Sequence, residues 1–210
     1  MVFVGIIERD QTNMDNIVGF FSKKESYSLL FACLSFEDYR KVPFAKKKKA
    51  AIIFTGKNED AFTSLLEVSY LKQLNTASRV VVLSDEYDES IALRMAKCGA
   101  AGLVKKPFTH SLMENCVNEI IGGNIFFPQS RQQDKINEII LNHRGHDDTN
   151  LSLREFEIIE LIKKGYTNKQ IGTLLCISHH TVNSHLKKIF LKFNVNSRAR
   201  LVNKIIEFYQ

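Results

Sequence analysis

Several things are scarce in this chain, and each scarcity excludes something. No apolar run approaches the ~18 residues of a membrane span. The N-terminus lacks a basic segment followed by an apolar one, so a protein that stays in the compartment where it is made is expected. The four cysteines (Cys33, Cys98, Cys116, Cys176) are scattered and form no CxxC pair. That argues against a disulfide framework and fits free thiols in a reducing cytosol. Acids are missing altogether from Lys163 to Lys204.

What is present fits a soluble globular protein of one or two domains. The chain has 210 residues, 44% of them hydrophobic and 25% charged. The net charge of +6 is unevenly placed. From Leu151 onward ten bases face four acids, and the remaining 19 bases and 19 acids cancel. All of the excess positive charge therefore belongs to the last part of the chain, which predicts a polyanionic partner for that part.

The first part alternates between strand and helix patterns. Strands are expected over residues 2–7, 28–34, 50–54, 79–83 and 101–104, with helices at about 12–21, 61–74, 89–97 and 111–121 and a short helix or turn over 36–42. Five such alternations predict a parallel sheet covered on both faces. The run Lys46–Lys49 reads as a solvated loop, with an anion site as the sharper alternative. Residues 129–141 carry a one-sided isoleucine stripe and read as a connecting helix. Residues 142–150 hold no apolar side chain and read as a linker.

Four helices are expected after Leu151. "SLRE" (Ser152–Glu155) and "TNKQ" (Thr167–Gln170) are capping boxes, in which the first side chain and the residue three later satisfy each other's orphaned backbone N–H groups. Only Cys176-Ile177-Ser178 separates the second helix from the third, the tight spacing of a helix-turn-helix. The third helix, about 178–193, carries Val182, Leu186, Ile189, Phe190 and Phe193 on one stripe. Its other side shows His180, Asn183, Ser184, Lys187 and Lys188. Asparagine can pair with adenine, serine reaches a base or a phosphate, and lysine reaches guanine or a phosphate. Double-stranded DNA is the expected partner. Cys176, His179, His180 and His185 are close in sequence but lack regular ligand spacing, so no metal is expected there.

The stretch from Leu151 to Val202, "LSLREFEIIELIKKGYTNKQIGTLLCISHHTVNSHLKKIFLKFNVNSRARLV", resembles the LuxR/NarL-type helix-turn-helix. The resemblance implies that Asn183, Ser184 and Lys187 meet DNA in the major groove, and that Thr181, Asn168 and Lys169 meet phosphates, with Lys188 alongside. Many relatives carry lysine directly after "TV"; here Asn183 stands there, which puts the usual base preference in question.

The first part resembles a response-regulator receiver, a flavodoxin-like fold, on the strength of "CGAAGLVKKPF" (Cys98–Phe108) and of Ser84 closing "VVVLS". A working receiver carries a phosphoryl-accepting aspartate at the tip of strand three and acids after strand one that hold Mg²⁺. Here those positions fall on Thr55 and on Glu8-Arg9, with Asp10 next; Lys106 and Ser84 match the phosphate-holding positions. The resemblance thus implies a pseudo-receiver without Mg²⁺, in which Lys106 pairs with Glu8 or Asp10. "FFPQ" (Phe126, Phe127, Pro128, Gln129) resembles an aromatic motif that in some relatives binds cyclic di-GMP. Without a placed arginine, interdomain or dimer packing is the expected role and nucleotide binding the lesser alternative.

Three segments are expected: a receiver-like domain over 1–122, a linker helix and linker over 123–150, and an all-α four-helix domain of LuxR type over 151–210. The expected protein is a bacterial, cytoplasmic transcription regulator, not an enzyme. It binds promoter DNA as a homodimer, with RNA polymerase a further partner, and does not depend on phosphorylation. The alternative is an interaction protein that sequesters a partner regulator through its receiver-like face.

Overall fold

The computed structural model describes residues 1–57, 61–87, 89–127 and 151–207. The connecting helix expected over 129–141 and the linker over 142–150 lie outside them. The first unit runs β1 (Val2–Ile7), α1 (Gln11–Ser22), β2 (Tyr27–Cys33), α2 (Phe36–Lys41), α3 (Phe44–Lys49), β3 (Ile52–Gly56), α4 (Ala61–Leu74), β4 (Arg79–Ser84), α5 (Glu89–Lys97), β5 (Ala100–Lys105) and α6 (His110–Ile121). The strands form one parallel sheet in the order β2-β1-β3-β4-β5.

The central strands are buried on both faces, which explains why they read as unbroken apolar runs. Val4, Ile6, Ile52, Phe54, Val81 and Leu83 face α1 and α6, whose Ile17, Phe21, Met113 and Val117 close that core. Ile53, Val80, Val82 and Leu103 face the opposite core, built with Phe36, Tyr39, Leu66, Leu71 and Met95.

Two local expectations are corrected. Strand three begins at Ile52 and runs to Gly56, so Thr55 lies inside the ladder, opposite Ile7 and Val82. The Lys46–Lys49 run is helical, not a loop. Its Lys47 is buried, donates to the Arg40 carbonyl at 2.8 Å and lies 4.8 Å from the Tyr39 ring centre.

After α6 the chain returns to the sheet. Phe126 bridges Gly102, with the Leu103 N–H donating to the Phe126 carbonyl and the Phe126 N–H to the Ala101 carbonyl, each at 2.9 Å. Phe126 enters one core and Phe127 the other. Both rings are thus spent inside the chain and offer no surface to a second copy or a base. Pro128 and Gln129 lie outside the described residues.

The second unit comprises α7 (Leu153–Lys163), α8 (Asn168–Leu174), α9 (His179–Lys192) and α10 (Arg198–Glu207). Both capping boxes form: Ser152 with Glu155 and Thr167 with Gln170. Gly165 closes α7 at φ +83°, the left-handed geometry suited to glycine. Ile158, Ile159, Ile162, Ile171, Val182, Leu186, Ile189, Leu201 and Ile205 are buried among these helices.

The units touch directly. Phe156 of α7 packs between Tyr70 and Phe36, at ring-centre distances of 5.7 and 5.9 Å. Arg40 lies 5.7 Å from the Phe156 ring centre and 4.0 Å from Glu157. Thr63 bonds Lys163 at 2.6 Å and Glu160 at 3.4 Å.

Candidate nucleic-acid interface and strand-end pocket

Helix α9 is amphipathic, and its two sides are sorted by burial. Val182, Leu186 and Ile189 face the core, while His180, Thr181, Ser184, Lys187 and Lys188 are exposed. The turn before it is tight because residue 172 is glycine. A Cβ there would stand 2.8 Å from the Ile177 carbonyl oxygen, closer than real Cβ contacts come, and would pry α8 from the turn. Cys176 takes φ 53° in that turn. Ser178 then caps α9: its Oγ accepts the Thr181 N–H at 3.0 Å and lies 2.9 Å from the Thr181 hydroxyl.

The polar residues on this surface differ in how they are held. Ser184 donates to the His180 carbonyl at 3.0 Å. Lys169, in the first turn of α8, is exposed. Asn168 and Asn183 are half-buried and tied together, the Asn168 Nδ2 donating to the Asn183 Oδ1 at 2.8 Å. Arg198 Nη1 donates to the Asn168 Oδ1 at 3.2 Å, and its Nη2 donates to the Tyr166 carbonyl at 2.6 Å. Asn168 and Asn183 with His180, Ser184, Lys187 and Arg198 border one groove. The Asn168 side chain is thus bonded on both sides.

At the C-terminal edge of the sheet, Glu8, Thr55, Ser84 and Lys106 are all buried. Lys106 Nζ lies 3.5 Å from Glu8 Oε1 and 3.4 Å from Asp85 Oδ1. Glu8 Oε1 also accepts the Asp10 N–H at 3.1 Å. The Asp10 carboxylate caps α1 instead, accepting the Asn13 N–H at 2.7 Å. Arg9 turns away to Glu67 at 3.5 Å. The Ser84 hydroxyl donates to the Glu86 carbonyl at 2.6 Å. Thr55 Oγ1 and Glu8 Oε2 are buried with no hydrogen-bond partner. Gly56 makes room for that carboxylate, since a Cβ there would sit 2.6 Å from Glu8 Oε2. Among the described residues no group of three or more His, Cys, Asp or Glu side chains is placed to hold a metal ion. No described helix is long and apolar enough to cross a membrane.

Residues 149–205 match the family described as "Bacterial regulatory proteins, luxR family". The Fimbriae Z protein of Salmonella typhimurium is 31% identical over 144 residues, which is 69% of this chain and 67% of that one. The chain belongs to the LuxR family of bacterial regulatory proteins. Another relative is the oxygen regulatory protein NreC of Staphylococcus haemolyticus, 27% identical over 82% of this chain and 83% of that one. The RcsB response regulator of Salmonella typhimurium shares the fold, with a TM-score of 0.52 at 18% identity over 96% of both chains. A structure of the RcsB–DNA complex gives the same score and identity over 97% of both. This LuxR-family protein thus has a response-regulator architecture, a receiver-like sheet unit followed by a helix-turn-helix.

Sequence reasoning missed four participants. Arg198 stands in "NSR" within the stretch that resembles the family, but its reach to Asn168 depends on where the fold places α10. Asp85 follows Ser84 directly, yet only the fold brings it to Lys106. Glu67 as the partner of Arg9 and Phe156 as the contact to the receiver-like unit had no local signal.

Proposed function

We propose that this LuxR-family protein is a transcription regulator that reads promoter DNA with α9, as a homodimer, in the bacterial cytoplasm. Its receiver-like unit, residues 1–122 extended by the Phe126–Phe127 return, works without phosphorylation. Residues 123–150 carry the connection, and 151–210 form the DNA-binding domain, from which RNA polymerase is a further partner. The observation that carries the reading is the polar, basic face of α9, left exposed while the two units are docked. The charge supports it, since a surface with ten bases and four acids from Leu151 onward gains affinity for a polyanion by counterion release. The relatives support it too: RcsB has been solved bound to DNA, and as two dimers on two parallel DNAs. A dimer predicts two half-sites about 10 bp apart.

Independence from phosphorylation rests on the strand-end pocket. A threonine hydroxyl is a poor nucleophile without an activating base; the Thr55 hydroxyl has no hydrogen-bond partner, and Lys106 is committed to Glu8 and Asp85. Mg²⁺ favours carboxylate and phosphate oxygens. The buried carboxylate here already faces a lysine, Arg9 replaces the second acid and Thr55 is neutral, so these residues do not fit the ion. The burial of Phe126 and Phe127 weighs against a cyclic di-GMP platform.

Selection from randomised DNA with the full-length protein tests the reading, followed by salt titration on the enriched site. Enrichment of a two-fold related sequence is expected. Recovery of no sequence would point instead to a protein that sequesters a partner regulator through its receiver-like unit. Stable phosphate incorporation from a small-molecule phosphodonor, lost in Thr55→Val, would overturn the phosphorylation-independent part alone.

A further inference from the structure

Arg198, Asn168 and Asn183 form a relay whose hydrogen-bond polarity is fixed from one end. A guanidinium only donates. Arg198 is anchored by the Tyr166 carbonyl and points Nη1 at Asn168. Asn168 must therefore present its oxygen to Arg198 and its NH₂ to the other side. There it meets Asn183 at 2.8 Å, so Asn183 must turn its oxygen inward. What Asn183 turns outward is its NH₂. That Nδ2 lies 3.4 Å from the His179 Nε2 and borders the open groove.

Resting on the DNA-reading function proposed above, we infer that Asn168 and Arg198 are positioning residues that make Asn183 read a base edge as a donor. A free asparagine pairs with adenine bidentately, accepting from N6 and donating to N7. The bond from Asn168 does not exhaust the two lone pairs of the Asn183 oxygen, but it holds that oxygen toward Asn168. The NH₂ is then the group Asn183 turns to the groove, and the accepting half of the pattern is disfavoured. Asn183 favours edges rich in acceptors, guanine (O6, N7) or thymine (O4), and disfavours cytosine, whose N4 amine is a donor. Asn168 thus shapes specificity without touching the base. It is also separate from the phosphate-contacting role that the family resemblance suggests for it.

The relay makes an unusual prediction for Asn168→Asp. A carboxylate still accepts from Arg198 but has no hydrogen to give. Asn183 then turns its NH₂ toward that carboxylate and its oxygen toward the groove, inverting from donor to acceptor. The test is selection from randomised DNA with the full-length wild-type, Asn183→Ala, Asn168→Asp and Asn168→Ala proteins, each first checked for a wild-type melting profile. The base pair read by Asn183 is the one whose preference Asn183→Ala abolishes. Every base pair carries a guanine or a thymine on one strand, and the strand on which the wild type is expected to enrich guanine or thymine is the reference. Read on that same strand throughout, Asn168→Asp is expected to move the preference to cytosine or adenine, and a preference that stays guanine or thymine there would count against the relay. Asn168→Ala, which frees the amide, is expected to move it toward adenine. Shifts of roughly tenfold in relative enrichment match the scale of one side chain–base pairing. The double variant Asn168→Ala/Asn183→Ala is expected to select as Asn183→Ala does.

The negative charge that Asn168→Asp adds weakens binding to all sequences, but it does not by itself change which base is preferred. Unchanged base preference in both Asn168 variants, with uniformly weaker binding, would overturn the relay and return Asn168 to a phosphate contact. Unchanged preference in Asn183→Ala would also overturn it. A wild-type protein that enriches no sequence would fail at the earlier step, DNA reading itself.

Discussion

Phe156 packs against Tyr70 across the two units, ring centres 5.7 Å apart and planes inclined by 52°. Both rings are buried, so this edge of the DNA-binding domain is completed by the receiver-like unit. The position between the two glutamates of "REFE" lies on α7, away from the reading helix. The domains therefore dock through a surface that leaves the exposed face of α9 uncovered.

Phe156→Ala is expected to uncouple the units. Truncating a buried phenylalanine costs about 3–5 kcal/mol in general, and here the loss falls on the contact between units. Urea unfolding followed by circular dichroism should change from one transition toward two, with the sheet unit and the helical unit melting apart. A single transition with an unshifted midpoint would show that the ring contributes nothing to the coupling.

Lys106→Met leaves Glu8 buried without its cation. Removing one partner of a buried ion pair costs about 3–5 kcal/mol, whereas replacing both partners by neutral groups often costs little. The double variant Glu8→Gln/Lys106→Met is therefore expected to recover most of the stability lost in Lys106→Met. Equal loss in the single and the double variant would mean that the 3.5 Å pair is not coupled.

Thr55→Val tests the orphaned hydroxyl. Thr55 Oγ1 is buried and has no partner, and an unsatisfied buried hydroxyl is worth about 1–3 kcal/mol in desolvation penalty. Valine has nearly the same shape and suits a strand. The expected result is a melting temperature equal to or above that of the wild type. A clear drop would show that the hydroxyl makes a bond in solution, through water for instance.

Most of the framework was legible in the sequence because it depends on local chemistry. The central strands β3 and β4 are largely β-branched runs buried on both sides, and "SLRE" and "TNKQ" fix two helix starts through bonds spanning three residues. The one-sided stripe of Val182, Leu186 and Ile189 orients α9 before any neighbour is known. Illegible features depend on neighbours distant in sequence. Lys46–Lys49 forms a helix whose inward Lys47 is held by Arg40 and Tyr39. The Phe126–Phe127 pair joins β5 because a parallel edge is there to accept it. Asn168 and Asn183 are 15 residues apart, and only the tight turn made by Gly172 brings them together. The receiver resemblance singled out Thr55 at the position where it implies an aspartate, but nothing in the sequence signalled the turn of Lys106 toward Asp85.

Salt dependence checks the basic face of α9. Lys187 and Lys188 are exposed on it, and each phosphate contact contributes ~0.9 to the slope of log K against log salt. Lys187→Ala is expected to lower the slope by about one contact while leaving the preferred sequence intact. A slope equal to the wild type's would place Lys187 away from the phosphates.

Acid sensitivity of the DNA-binding domain should trace to Glu155. Burial by itself raises its pKa, but hydrogen bonds from Lys192 Nζ at 2.6 Å and from the Ser152 N–H at 2.7 Å outweigh this and hold it below the ordinary carboxylate value. The unfolded chain has an ordinary glutamate near ~4.3, so the folded state binds this proton less readily than the unfolded one. The stabilisation from Glu155 is therefore fully present above the unfolded pKa, and it is lost as pH falls through the depressed folded value. Glu155→Gln keeps an acceptor for Ser152 but cannot form the ion pair with Lys192. Its stability should lie below the wild type's at neutral pH, and the gap should narrow as the solution is acidified below that ordinary value. Urea unfolding at a series of pH values measures the gap directly. Wild-type and variant curves that stay parallel down to acid would place the acid sensitivity in some other group.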